Sequence, residues 1–320
     1  MGDVANGTAA THPDRAAAPT GRARTLVAGA YDLHTHIDPD VIPRRIDDLA
    51  LARRFAEVGL AGFALKSHYT STAERARVVS SVVPGIEVVG TLTLNRAVGG
   101  LNALAVEIAA REGARIVWMP TVDSPAETAG RSEPKPGEKV PLWASLQHEL
   151  RGLGLSVEPV VVTGDGGEVL PETREVLRAI ARHDLILATG HLARDDTFAV
   201  VDAARQEGVS RIVVTHPEFT CQNFSIEDQV ALADRGCIVE RALSTPWSGK
   251  TTWEHVIDGV RAVGVERSLF SSDFGNPAYP AVEDGLALWA DRLLGAGFDE
   301  DEVRELIVGQ SRRLAGAEAR

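Results

Sequence analysis

The run Ala30-Tyr31-Asp32-Leu33-His34-Thr35-His36 joins a strand-like apolar core to two imidazoles spaced two residues apart. Alternate residues of a strand share a face, so His34 and His36 are expected to project together. Further apolar or β-branched runs follow at 62–68 (GFALKSH), 86–95 (IEVVGTLTLN), 114–120 (ARIVWMP), 185–191 (LILATGH), 211–216 (RIVVTH), 236–240 (GCIVE) and 268–273 (SLFSSD). Between them lie helix-like stretches such as 47–58, 72–83, 101–112, 172–182, 195–207 and 227–234, and a last one over 299–314. Near-continuous apolar strands alternating with helices predict a parallel sheet covered on both faces. Eight such units predict a (β/α)8 TIM barrel rather than an open sheet.

Two segments interrupt the alternation. Residues 155–170 (LSVEPVVVTGDGGEVL) carry β-rich runs around Gly164-Asp165-Gly166-Gly167 and predict a β-hairpin inserted before strand five. Residues 123–140 are polar and rich in Pro and Gly, and predict a loop over the barrel mouth. Residues 1–25 show neither helical periodicity nor the apolar stretch of a signal peptide and are expected to be a flexible tail, leaving 26–320 as one domain. The 320 residues are 44% hydrophobic and 24% charged, values of an ordinary globular protein, which excludes disorder or membrane spans for the bulk of the chain. A formal charge of −12 and the lack of any basic run disfavour nucleic acid and anionic membranes as partners. Cys221 and Cys237 are too few for a disulfide framework and fit a cytoplasmic protein, with both read as core or surface thiols rather than as chemistry.

The later runs also end in potential ligands: His68 after the second, His191 after the fifth, His216 after the sixth and Asp273 after the eighth. A barrel brings the carboxyl ends of all its strands to one face, so these residues are expected to converge. Imidazole and carboxylate suit Zn²⁺ first, and also Fe²⁺ or Mn²⁺. No P-loop, dinucleotide-binding glycine fingerprint, nucleophile elbow or CxxC supports another chemistry.

With His34 and His36 on the first strand, His191 on the fifth, His216 on the sixth and Asp273 on the eighth, the chain resembles the amidohydrolase superfamily of metal-dependent hydrolases from about Ala30 to Leu314. The segments DLHTH, LKSHY, LNRAVGGLN, ATGH, VTHP and SDFGNP resemble an uncharacterised bacterial subfamily of it. The resemblance implies that His34, His36 and Asp273 bind a first divalent ion. It implies that His191 and His216 bind a second, or that His216 serves the substrate and leaving group, and that Asp273 acts as general base. Many binuclear relatives bridge their metals from the end of strand four, and the sequence Ile116-Val117-Trp118-Met119-Pro120 offers no such ligand. Lys66 is a substitute if it is carboxylated; otherwise it is an ammonium that binds an anionic substrate group or pairs with a carboxylate. One or two ions are compatible with this set.

Substrate contacts are expected from His68, Asn95, Arg96, Glu240 and Arg241, with Trp247, Trp253, Tyr69 and Tyr279 as candidate pocket walls. The expected function is hydrolysis of a C–N bond, an amide, imide or cyclic ureide, in a small molecule by a metal-activated water. The alternatives are phosphoester or lactone hydrolysis or decarboxylation on the same scaffold, or a non-catalytic metal-binding barrel. A homo-oligomer is compatible with apolar outer helices.

Overall fold

A computed structural model describes residues 18–129, 142–155 and 158–316. Its eight strands are β1 (Tyr31–Thr35), β2 (Gly62–Leu65), β3 (Glu87–Thr93), β4 (Ala114–Trp118), β5 (Ile186–Ala188), β6 (Arg211–Val214), β7 (Ile238–Ala242) and β8 (Ser268–Ser271). Every strand pairs in parallel with the next in sequence, so the order around the sheet is the order along the chain. The ring closes just beyond β8, where Asp273 N donates to His34 O at 2.8 Å and His36 N donates to Phe274 O at 2.8 Å. The expected TIM barrel is thus present, and its closing seam runs through the residues that carry the candidate chemistry.

The helices between strands start and stop where local chemistry dictates. Asp47, Asn102 and Thr252 each accept a backbone N–H at the N-terminus of the following helix, and Ser225 with Asp228 forms a reciprocal capping box. Gly113 ends its helix in the left-handed region, φ 106°. The last expected helix, 299–314, is continuous but contains a π-turn at Glu305–Gly309. Leu33, Ala64, Val89, Ile116, Trp118, Ile186, Val213 and Leu269 fill the barrel interior. Larger apolar clusters lie between barrel and helices, centred on residues such as Phe55, Phe63, Phe270 and Trp289 on one side and Leu92, Val117, Leu187 and Val214 on the other.

Three expectations change. The hairpin reduces to one antiparallel bridge, Thr163–Val169, flanked by Gly164 N to Glu168 O and Leu170 N to Val162 O; it is too short to form strands. The tail boundary moves: Gly21–Leu26 is helical, capped by Thr20, whose backbone N and Oγ1 both bond Asp291. Residues 1–17 lie outside the described residues. The loop expected over 123–140 begins with a short helix, Pro125–Thr128, capped by Ser124, while 130–141 lie outside the described residues. A further helix, Leu142–Gly152, follows.

Candidate metal centre at the barrel mouth

β1 departs from simple alternation. Its pairing to β2 slips between Asp32 and Thr35, so Leu33 and His34 together face one residue of the neighbour. A bulge of this kind re-aims side chains. Leu33 packs into the barrel interior while His34 also turns inward, 5.4 Å from the Trp118 ring centroid. His34 is fully buried and forms the hub of the site.

His34 Nδ1 lies 2.9 Å from Glu240 Oε1. An ionised carboxylate only accepts, so Nδ1 carries the proton and Nε2 presents its lone pair to the mouth. Burial opposes ionisation of Glu240, but His34, His216 and Ser271 hold it below the ordinary carboxylate value. Asp273 Oδ1 stands 3.1 Å from His34 Nε2 and 3.2 Å from His36 Nε2, and Oδ2 accepts from Ser244 Oγ at 2.6 Å. Despite burial, which raises it, the neighbouring His34, His36 and His216 hold the Asp273 carboxyl well below its usual range.

These three residues fit a divalent ion. Their ligand atoms lie within 4.8 Å of one another. Two ligands about 2.1 Å from a tetrahedral ion stand roughly 3.4 Å apart, close to the separations observed. The Glu240–His34 bond supplies the carboxylate–histidine support usual behind a metal-bound imidazole.

Lys66 Nζ sits 2.9 Å from His34 Nε2 and 5.0 Å from the Trp118 ring centroid. Burial pushes its pKa down to about 8, against the pull of Asp273 and Glu240. An ammonium and a cation compete for the same His34 lone pair, so ion binding requires Lys66 to lose its proton or swing away. A neutral amine is also the form that reacts with CO₂.

His68 stacks on His36 with centroids 4.8 Å apart, and its Nδ1 is 2.8 Å from Thr121 Oγ1. Asn95 Nδ2 donates to that same oxygen, which leaves the Thr121 hydroxyl proton for His68 Nδ1. His68 therefore accepts on Nδ1 and offers Nε2–H, the tautomer of a donor rather than of a ligand through Nε2. His216 has the opposite arrangement. Gln222 Nε2 donates to Gly190 O and Thr215 O, so Oε1 faces His216 Nδ1 at 2.9 Å as acceptor and His216 Nε2 is bare. Burial and the adjacent His191 push His216 down to about 3, and burial likewise keeps His36, His68 and His191 neutral.

The remaining expected residues divide. His191 and His216 lie side by side, ring centroids 5.0 Å apart, but His191 Nδ1 is directed at Glu127 Oε2, 3.4 Å away. Asn95, expected to touch substrate, is fully buried and ties His68 O, Thr121 and Asp123 together behind the mouth. Arg96 donates to Glu158 O and Pro159 O, so it fastens the segment before strand five rather than facing the mouth. Glu240 sits under His34 as a positioning group. Arg241, next on β7, points to the opposite face and is buried with Glu218 and Gln229 between barrel and helices. Trp247 packs on Phe274 and Trp253 on Trp289, inside the apolar layer, and Tyr279 also packs against Phe274. Tyr69, 6.1 Å from the His68 ring, remains beside the site.

Sequence reasoning missed Thr121, Gln222, Ser244 and Glu127. Ser124-Pro125-Ala126-Glu127 has the spacing of a helix start, which locates Glu127 without revealing its direction. The others follow strand-end residues and had no motif of their own.

Among solved structures, the chain is similar to an amidohydrolase from Pseudomonas aeruginosa, 12% identical over 91% of this chain and 96% of that one, with a TM-score of 0.58. It is similar to an amidohydrolase from Burkholderia multivorans with bound zinc, 12% identical over 90% and 99%, TM-score 0.54. A TatD homologue from Escherichia coli K12 is 12% identical over 90% and 98%, TM-score 0.52. At such identities the likeness establishes the fold. No curated protein sequence matches. A family model described as "Family of unknown function (DUF6282)" matches residues 29–240, from the turn before β1 to Glu240. The chain belongs to the DUF6282 family, and its barrel shares the fold of these solved structures.

Proposed function

We propose that this protein is a metal-dependent hydrolase of a small molecule that cleaves a C–N bond in an amide, imide or cyclic ureide. The observation that carries the reading is the convergence of His34, His36 and Asp273 at the barrel mouth, with Glu240 fixing the tautomer that frees His34 Nε2. His34, His36 and Asp273 would hold a divalent ion, zinc being suited by the donor set, and when bound it would supply an acidified water nucleophile and Lewis acidity. Asp273 Oδ1 faces the ligand nitrogens while Ser244 holds Oδ2, so the carboxylate is oriented to take a proton from the attacking water and return it to the leaving nitrogen. His68 Nε2–H and Lys66 Nζ are the donors placed to orient a carbonyl or carboxylate of the substrate. His216, with its bare Nε2, is an acceptor for a substrate or leaving-group N–H.

Asp273→Asn is expected to lower kcat/KM by about 10²–10⁴-fold on the substrate found by screening amides and cyclic ureides, with an unchanged circular dichroism spectrum. Chelation is expected to abolish turnover. Full activity after either treatment refutes the reading. Turnover confined to lactones or phosphoesters in the same screen keeps the metal centre and replaces the bond assignment.

A further inference from the structure

The loop that follows β1 brings an arginine to the mouth that the proposed chemistry does not use. Arg44 Nε and Nη2 both donate to Asp40 Oδ2, at 2.7 and 2.6 Å, and Nη2 stands 3.4 Å from His36 Nδ1. The Arg44 and Asp40 side chains are only 10% and 2% exposed. We propose that Arg44 anchors a substrate carboxylate, which narrows the substrate class to small amides, imides or cyclic ureides that carry a carboxylate close to the scissile bond. The inference rests on the hydrolase reading for the position of that bond.

Three observations support it. The first is the free edge of the guanidinium. Asp40 takes the Nε–Nη2 edge through a single oxygen, and Nη1 bonds to none of the described residues. The edge left over, Nη1 with the second Nη2 hydrogen, lies on the His36 side and is a fork that fits a carboxylate in two parallel hydrogen bonds. Because Arg44 meets Nδ1 of the ring whose Nε2 faces Asp273, a bound carboxylate and the reacting carbonyl are about one imidazole ring apart, the spacing of an N-acyl amino acid or a ring-carboxylated imide or ureide. The second is rigidity. Arg44 N donates to Asp38 Oδ1, Asp38 N to Ile46 O and Arg45 N to Gly275 O, while Arg75 holds the carbonyls of Ile37, Asp38 and Pro39. The loop is fastened along its length, so the side chain is positioned before a ligand arrives. The third is the neighbourhood. Asp40 Oδ1 accepts from Val41 N, so both oxygens of that carboxylate are engaged. His68 stacks on His36, and Tyr69 packs edge-on against His68. Tyr69 Oη is buried without a hydrogen-bond partner, and burial together with the Asp40 and Asp123 charges keeps the phenol protonated, a second unpaired donor within the field of Arg44.

The test is equilibrium binding, by calorimetry, of N-acetyl amino acids and their matching primary amides to the chelator-stripped full-length protein. At least one acid is expected to bind about 10–100-fold more tightly than its amide, the range for a hydrogen-bonded charged group, and Arg44→Gln is expected to level the two. Arg44→Lys keeps the charge and the Asp40 partner but loses the fork, and is expected to retain part of the preference. Equal binding of every acid and amide, or no binding of either, overturns the proposal and needs no variant to observe. A preference that survives Arg44→Gln assigns the carboxylate to Lys66 and overturns it as well. Turnover by the zinc-loaded enzyme separates the inference from the hydrolase reading. Acid-selective binding without hydrolysis of any C–N bond keeps the subsite and refutes that reading, whereas hydrolysis of neutral amides with no acid preference does the reverse.

Discussion

Replacing Glu240 tests how the candidate metal centre is built. Its Oε1 accepts from both His34 Nδ1 at 2.9 Å and Ser271 Oγ at 2.6 Å, in a position only 2% exposed. Glutamine retains an oxygen for both contacts and removes only the charge that stabilises His34 in its metal-bound form. Alanine removes the acceptor as well, so the imidazole loses its fixed tautomer and its buried N–H loses a partner. Losing a partner behind a metal-bound histidine costs about 10–100-fold in affinity. Glu240→Gln is therefore expected near the lower figure and Glu240→Ala near the upper, about 1.4 and 2.8 kcal/mol at tenfold per 1.4 kcal/mol. The assay is competition for Zn²⁺ against a chromophoric chelator, with urea unfolding of the metal-free proteins as control. Wild-type affinity in both variants refutes the role of Glu240, and equal losses in both refute the separation of charge from hydrogen bonding.

Other consequences reach stability. In the metal-free protein the folded-state pKa values of His36, His68, His191 and His216 lie below the unfolded value near 6.5, with His216 at about 3. The unfolded chain then binds more protons, so stability is expected to fall as pH drops below about 6.5. Asp32, pushed up to about 7 by burial, works in the opposite direction between about 4 and 7 but is a single group against four. Urea midpoints at pH 7.5, 6 and 5 check this, and a flat profile refutes it. Arg241→Met removes the buried cation partner of Glu218, both side chains being at most 1% exposed, and is expected to cost about 3–5 kcal/mol in urea unfolding with KM unchanged; a KM change without destabilisation returns Arg241 to the substrate. Gly275→Ala, at φ 139° with the new Cβ 1.7 Å from His36 O, is expected to lose more than about 3 kcal/mol and the Asp273-bound ion together; near-wild-type stability and metal content refute it.

The strand-end ligands were legible because a parallel barrel converts sequence order into spatial order, and every unit repeats the same pattern of apolar run, polar end and helix. What stayed hidden is directional. Glu240 and Arg241 are adjacent and both polar, yet β7 sends one beneath His34 and the other between barrel and helices. Arg96 follows a strand end as His68 does, but its backbone N donates to Asp123 and its guanidinium turns to the 158–159 carbonyls. The hairpin signal around Gly164 was real as a turn, but Leu170 already N-caps the helix Pro171–Arg182, leaving no length for a second strand. The register slip in β1 has no sequence marker, since Leu33 and His34 look like ordinary alternating strand residues.

That slip and the barrel seam together account for the site. Closing the ring requires hydrogen bonds between the end of β1 and the segment after β8, and the residues that make them are His34 and His36 on one side and Asp273 and Phe274 on the other. Asp273 sits at φ 51°, an uncommon conformation for a residue with a side chain, and its N–H is committed to His34 O while its carboxylate meets both imidazoles. The backbone bonds that complete the barrel thereby set the spacing of the ligand atoms. The candidate ligand set and the fold are coupled at that seam, so on the proposed metal reading a substitution that loosens closure is expected to act first on ion binding. Lys66 enters the same arrangement from β2, whose parallel pairing with β1 carries it to within 2.9 Å of His34 Nε2. Burial lowers its pKa to about 8, so an ion at His34 Nε2 would require this amine to lose its proton or swing away.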